Sequence, residues 1–282
     1  PALQRLSVAM ADDVLEAAGA AAASLVPSVL PHMLAHTMAH MGEGKAARRK
    51  KKKDYMGFDF DDSEQDEEAM QDEEDLIEQV AFATGKLVQT HGETYLPHAE
   101  SMVPWFVDRM APANPPALQR LSVAMADDVL EAAGAAAASL VPSVLPHMLA
   151  HTMASDLELR QASLFGVGLC AEFGGASFRP FAPETLLRLE TVMQEEDART
   201  EDKASATDNA ASSLGKLALH HAEAFTPEET ARMWSSWLAY LPLESDVGEA
   251  VVVHKLLCRM VEGNRAEILG PANSNLPRIL SI

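Results

Sequence analysis

The sequence predicts an all-α solenoid, a row of antiparallel helical pairs that stack on one another instead of closing around one core. Three observations predict it. Ala and Leu dominate a chain of 282 residues that is 48% hydrophobic and 5% aromatic, and it lacks the β-branched runs that specify strands. Apolar residues recur at helical spacing between short breaks of Gly, Pro and Asn. The second helices of successive pairs start near Glu74, Pro116, Asp156, Ala204 and Asp246, which gives steps of about 42, 40, 48 and 42 residues, a period in the HEAT or armadillo range. Such a pair cannot cover both sides of its own apolar stripe, so its neighbours must.

Each helix is justified by its own spacing and caps. Leu76–His91 is apolar at helical intervals and closes at Gly92; Tyr95–Met110 follows. Asn114 is placed to cap the next helix, with Pro115 in its first turn, and Leu118, Leu121, Met125, Val129 and Ala132 share one face of it. Gly134 turns the chain into Ala138–Thr152, which Pro142 and Pro146 should bend. Ser155 and Glu158 have capping-box spacing ahead of a helix that runs through Phe173 and stops at Gly174 and Gly175. Phe178–Met193 comes next, then the polar stretch "QEEDARTEDKAS", then a helix from Ala206 to His221. Thr226, Pro227 and Glu229 form a second capping box for a helix to about Tyr240, and Ser245 starts a last one through Val261.

Two features do not belong to this regular pattern. Residues 1–39 recur without one change as 116–154. True solenoid neighbours drift at solvent-facing positions, so an unaltered copy reads as a recent duplication or an artefact of sequence assembly, with 1–41 as the misplaced member. The second feature is a charged stretch, "KAARRKKKK" at Lys45–Lys53 followed by "DFDDSEQDEEAMQDEED" at Asp59–Asp75, whose eleven carboxylates have no compensating cation. It cannot bury itself, so 42–71 is expected to be a disordered linker and 72–282 the solenoid, cut short at its carboxyl end.

A net charge of -20 opposes binding to nucleic-acid backbones and favours basic protein partners. No apolar run has the length a bilayer requires, so no membrane insertion is expected, and two distant cysteines, Cys170 and Cys258, suit a reducing compartment. Catalysis and cofactors are not expected. Gly166, Gly168 and Ala171 spell a dinucleotide-like G-x-G-x-x-A, but inside a helix with no strand ahead of it, where close helix packing explains them. His32, His36 and His40 stand at helical intervals, yet no adjacent carboxylate supplies a general base, and the second copy offers only His147 and His151, so no metal is expected.

Four strings in order, "DLELRQASLFGVGLCAEFGGASFRPF", "ATDNAASSLGKLAL", "WSSWLAYLPLESDVGEA" and "LGPANSNLPRILSI", resemble the carboxyl-terminal part of the importin-beta (karyopherin-beta) superfamily, in its importin-5, or karyopherin beta-3, branch. The resemblance covers about 72–282 and implies a nuclear transport receptor. Such a receptor binds basic cargo bearing nuclear-localisation signals, touches phenylalanine-glycine nucleoporins, and answers to the Ran GTPase mainly through an amino-terminal arch outside this chain. It also implies a monomer in cytoplasm, nucleus and nuclear pore. The rival is a HEAT-type scaffold or regulatory subunit without a transport role. Asp127, Asp128, Asp208 and Asn209, on inner helices, are the candidate acceptors for lysine-rich cargo. Asp156 and Arg160 match the D-x-x-x-R pattern of a structural ladder between repeats. Trp234, Trp237 and Tyr240, three apart, are expected to line an apolar seam, with a nucleoporin groove as the alternative.

Overall fold

The structure, a computed structural model, describes residues 96–282 and, ahead of them, Gly85 and Gln89 as helical positions. The segment 1–41, the linker 42–71, the helix expected at Leu76–His91 apart from Gly85 and Gln89, and the stripe of His32, His36 and His40 lie outside the described residues. Met102–Ile282 forms one compact unit, and it is this unit that holds the candidate residues.

The longer helices of the described residues are α1 (Leu96–Met110), α2 (Pro116–Ala133), α3 (Val141–His151), α4 (Leu157–Phe173), α5 (Ala182–Met193), α6 (Glu201–His220), α7 (Pro227–Tyr240) and α8 (Val247–Glu262). No strand occurs among the described residues. The even-numbered helices form one row: α4 packs against α2 on one side and α6 on the other, and α6 packs against α8. The odd-numbered helices form a second layer, with α3 against α4 and both α5 and α7 against α6. This is the HEAT-type arrangement that the forty-residue period demands, because each inner helix buries two faces against neighbours of its own kind.

Local chemistry explains the boundaries. Gly134 takes φ +54, a left-handed conformation that stops α2 and opens a 3₁₀ stretch, Gly134–Ser139. Thr226 and Glu229 form the expected reciprocal capping box at α7, with Pro227 in the first turn. Elsewhere the caps move by one residue: Asp156 caps α4 by accepting from the Leu159 N–H at 2.8 Å, and Asp246 caps α8 by accepting from Glu249 N–H, so neither Ser155 nor Ser245 serves. A carboxylate accepts more strongly than a hydroxyl and also complements the positive end of the helix, which is why the acid wins. The largest difference is α6, which starts at Glu201 instead of Ala206. Its first turn carries Glu201 and Asp202, favourable at a helix start, so a stretch that reads as linker from its polarity is helical.

The rows approach closely where glycine removes a side chain. A Cβ on Gly166 would lie 2.2 Å from Asp127 Oδ1 on α2, and one on Gly168 would lie 2.4 Å from Ser213 Oγ on α6. The G-x-G pair is thus a packing device on both sides of α4. On α6, a Cβ at Gly215 would meet Trp237 Nε1 at 2.5 Å and Cε2 at 3.0 Å, and that indole is fully buried. Gly215→Ala should therefore destabilise the protein by about 1–3 kcal/mol through overpacking, although alanine is the better helix former by about 1 kcal/mol. Chemical denaturation reads the sign directly, and a gain in stability would show that the indole gives way.

Candidate interaction surface along the inner helices

Polar side chains tie the inner row together at every step. Between α2 and α4, Arg120 pairs with Glu158. Arg160 reaches from α4 to Glu195 at 2.9 Å, in the connection before α6, and Lys203 of α6 donates to the same Glu195 at 2.9 Å and to Asp197 at 2.8 Å. Burial alone would raise the Glu195 pKa, but the hydrogen bonds and charges of Lys203 and Arg160 outweigh it and hold the carboxyl below its usual range. Lys216, almost buried on α6, stands 3.4 Å from Glu172 on α4 and 3.6 Å from Glu249 on α8, and Glu249 also accepts from Ser212.

The α6–α8 step is the most elaborate. Asp208 is fully buried. Its Oδ2 accepts from the N–H groups of Glu244, Ser245 and Asp246 at 3.1, 2.7 and 3.1 Å, and its Oδ1 accepts from Arg199 at 3.3 Å. Three consecutive amides converge on one oxygen because the connection Leu241–Asp246 passes over the amino-terminal half of α6 before α8 begins. Asn209 donates to Asp246 Oδ2 at 2.8 Å, and Gln161 of α4 reaches the same oxygen at 3.4 Å.

These contacts redistribute the roles expected of the candidate residues. Asp208 and Asn209 do not face an open wall: their polar atoms serve the junction between repeats, since a buried carboxylate or amide needs internal partners. Asp127 is likewise buried, against Gly166, and burial followed by the charges of Asp128 and Glu131 pushes its pKa well up. Asp128 is the exception. It is half-buried, beside the exposed Glu131, and its pKa is pushed up to about 6, first by burial and then by Glu131. Asp156 and Arg160 do not bond to each other; Asp156 caps its own helix, while Arg160 carries the link to Glu195. Lys216 and Glu249 were legible only as scattered charges because their partners lie in neighbouring repeats, and Glu195 and Lys203 because the stretch that pairs them reads as a polar connection.

Trp234 and Trp237 are buried, their rings edge to face at 5.4 Å, and Trp237 packs against Gly215. Tyr240 is half-buried; its hydroxyl donates to Met193 O, and Arg199 stacks over its ring at 4.9 Å while donating to its carbonyl at 2.6 Å. Trp237, with Trp234 beside it, lies at the α6–α7 junction, whereas Tyr240 ties the end of α7 to the end of α5 and to Arg199 in the connection before α6. Among the described residues, no group of three or more His, Cys, Asp or Glu is placed to hold a metal ion, and no helix is long and apolar enough to cross a membrane.

Residues 29–112 match the profile of the family described as Importin repeat 6, a stretch that takes in the charged segment 42–71. The chain is 28% identical over 221 residues to a probable importin-5 homolog of Dictyostelium discoideum, covering 73% of this chain and 20% of the relative. It is 21% identical over 217 residues to importin subunit beta-3 of Saccharomyces cerevisiae, covering 77% and 20%. The profile and both relatives are importins, so the similarity points to the importin-beta superfamily. The chain spans about a fifth of the length of these importin relatives. Among solved structures, a mutant of the karyopherin Kap121p superposes with a TM-score of 0.59 at 21% identity over 76% of this chain and 21% of that one. That likeness concerns the fold, the stacking of helical pairs in two layers.

Proposed function

We propose that this chain is the cargo-contacting carboxyl-terminal part of a nuclear transport receptor, and that it holds basic segments of cargo proteins on the solvent side of the inner row. The observation that carries this reading is the contrast on α2. Glu158, Glu172, Asp208 and Glu249 of the inner row are committed to neighbouring repeats, whereas Asp128 and Glu131, three residues apart on one helix, remain reachable from solvent, and the charge that bears most on Asp128 is that of Glu131 itself. Two acids so placed lower the energy of a lysine side chain and gain most where water is partly excluded. Kap121p has been crystallised with Pho4p, with Nup53p and with RanGTP, which supports a carrier that exchanges protein partners. The matching role here is shuttling between cytoplasm and nucleus through the pore, with nucleoporin contacts on the outer layer and Ran engaged mainly by parts of the receptor beyond this segment.

Charge reversal tests the reading. The double substitution Asp128→Lys with Glu131→Lys should weaken binding of a lysine-rich peptide by about tenfold at low salt, a loss of about 1.4 kcal/mol. Circular dichroism should remain that of the unaltered chain. Affinity for the same peptide should also fall as the pH drops through about 6, because Asp128 takes up a proton there and loses the charge that attracts lysine. Equal affinity of variant and unaltered chain in a fluorescence-anisotropy titration would overturn the assignment.

A further inference from the structure

Asp127 sits where the inner row is tightest and gains nothing there from hydrogen bonding. It is 5% exposed on α2, its Oδ1 meets the bare Cα of Gly166 on α4, and the thioether of Met148 on α3 closes the same spot. Among the described residues, none donates to that oxygen. The ionisable groups around it offer no rescue. Its neighbours on α2, Asp128 and Glu131, are acids whose charges act in the same direction as burial. On α4, Cys170 is a buried thiol, Glu158 pairs with Arg120, Arg160 reaches Glu195, and Glu172 faces Lys216. Lys216 of α6 is the cation whose charge favours ionisation of Asp127, and it is already shared by Glu172 and Glu249. The ionisable groups of α3 are His147 and His151, and His151 is turned to Met110 O; the 3₁₀ stretch Gly134–Ser139 has none. A carboxylate in this place would lie without water or donor, and a group so held keeps its proton.

We propose that the α2–α4 junction is a proton-held seam: it closes on Asp127 as a neutral acid and loosens as rising pH removes that proton. The sign follows from the two ends of the folding reaction. In the unfolded chain Asp127 ionises in the ordinary carboxylate range, at about pH 4, whereas burial and the two acids beside it hold the folded value well above that. The stability of the seam is therefore fully present below the unfolded value and is lost as the pH rises toward the folded one. His151 acts in the opposite sense, because burial lowers its pKa and its share of stability is lost as the pH falls. Loosening should stay within α2, α3 and α4, since the α6–α8 step is held by the separate bonds of Asp208 and Glu249.

Urea titration of the full chain across a range of pH, beside Asp127→Asn, decides the matter. The substitution keeps the shape of the side chain and removes its ionisation. From about pH 5 to about pH 8, the folding constant of the unaltered chain should fall at least about tenfold relative to that of Asp127→Asn. Asp127→Ala should lose the same dependence from a lower baseline, so the test survives a poor fit of the amide. Asp128→Asn should keep it, because ionisation of that neighbour is a separate event. Hydrogen exchange, corrected for the intrinsic rate at each pH, should quicken over α2 and α4 of the unaltered chain while the start of α8 stays protected. A ratio of the two folding constants that stays level over this range, or a dependence that vanishes in Asp128→Asn and persists in Asp127→Asn, would sink the proposal.

Discussion

Asp208→Ala is expected to cost about 3–5 kcal/mol, the penalty typical of breaking a buried charged network. The side chain is fully enclosed, and its removal strands three backbone amides, those of Glu244, Ser245 and Asp246, together with one guanidinium nitrogen of Arg199. Each stranded donor carries a desolvation penalty of about 1–3 kcal/mol, softened where water reaches the new gap. Asp208→Asn should lose less, because a carbonyl oxygen of the same shape still accepts from part of the triad. The damage should be directional. Hydrogen exchange should quicken first over Leu243–Ala250, the start of α8, while α2 and α4 keep their protection. A loss under about 1 kcal/mol in urea titration, or quickening confined to α2, would refute the junction role.

The second large effect is expected of Trp237→Ala, about 3–5 kcal/mol for deletion of a fully buried aromatic side chain. Trp237 packs against the bare backbone of Gly215 and edge to face with Trp234, so truncation empties a closely fitted part of the α6–α7 junction. The glycine leaves the cavity without a side chain that could swing in to fill it, which places the loss toward the upper part of that range. Near-ultraviolet dichroism should lose the Trp signal that depends on the Trp234 pairing. A Trp237→Phe variant should recover roughly half of the stability, whereas a Trp237→Ala protein as stable as the parent would remove the seam from the account.

What could be read ahead of the coordinates divides along a physical line. The capping box at Thr226 and Glu229 and the turn at Gly134 were legible because they depend on residues within one turn of each other, and the period because the apolar spacing recurs along the chain. The start of α6 was not, because its first turn is charged and its buried face is built from Ala, Ser, Thr and Asn, small residues that give little hydrophobic contrast. The roles of Asp208 and Asn209 were also hidden. An acid on an amphipathic helix reads as solvent-facing, and nothing local announces that three amides from residues 244–246 will fold back over it. Asp128 lies half-buried beside the exposed Glu131, a difference from the adjacent Asp127 that follows from its place one step round the helix. Trp234 and Trp237, by contrast, could be placed in a seam because their size and spacing left few other homes.

At Gly166, Gly168 and Gly215 the helices of this unit meet backbone against side chain, with no yielding methylene between them. Gly166 and Gly168 set the spacing of α4 from its neighbours in the inner row, and Gly166 and Gly215 also receive Met148 and Trp237 from the outer layer. The two layers are thus pinned together at the places where the inner helices touch one another, and a stack built this way resists sliding of one layer over the other. Partners that bind the inner row would therefore meet a ruler of constant gradation.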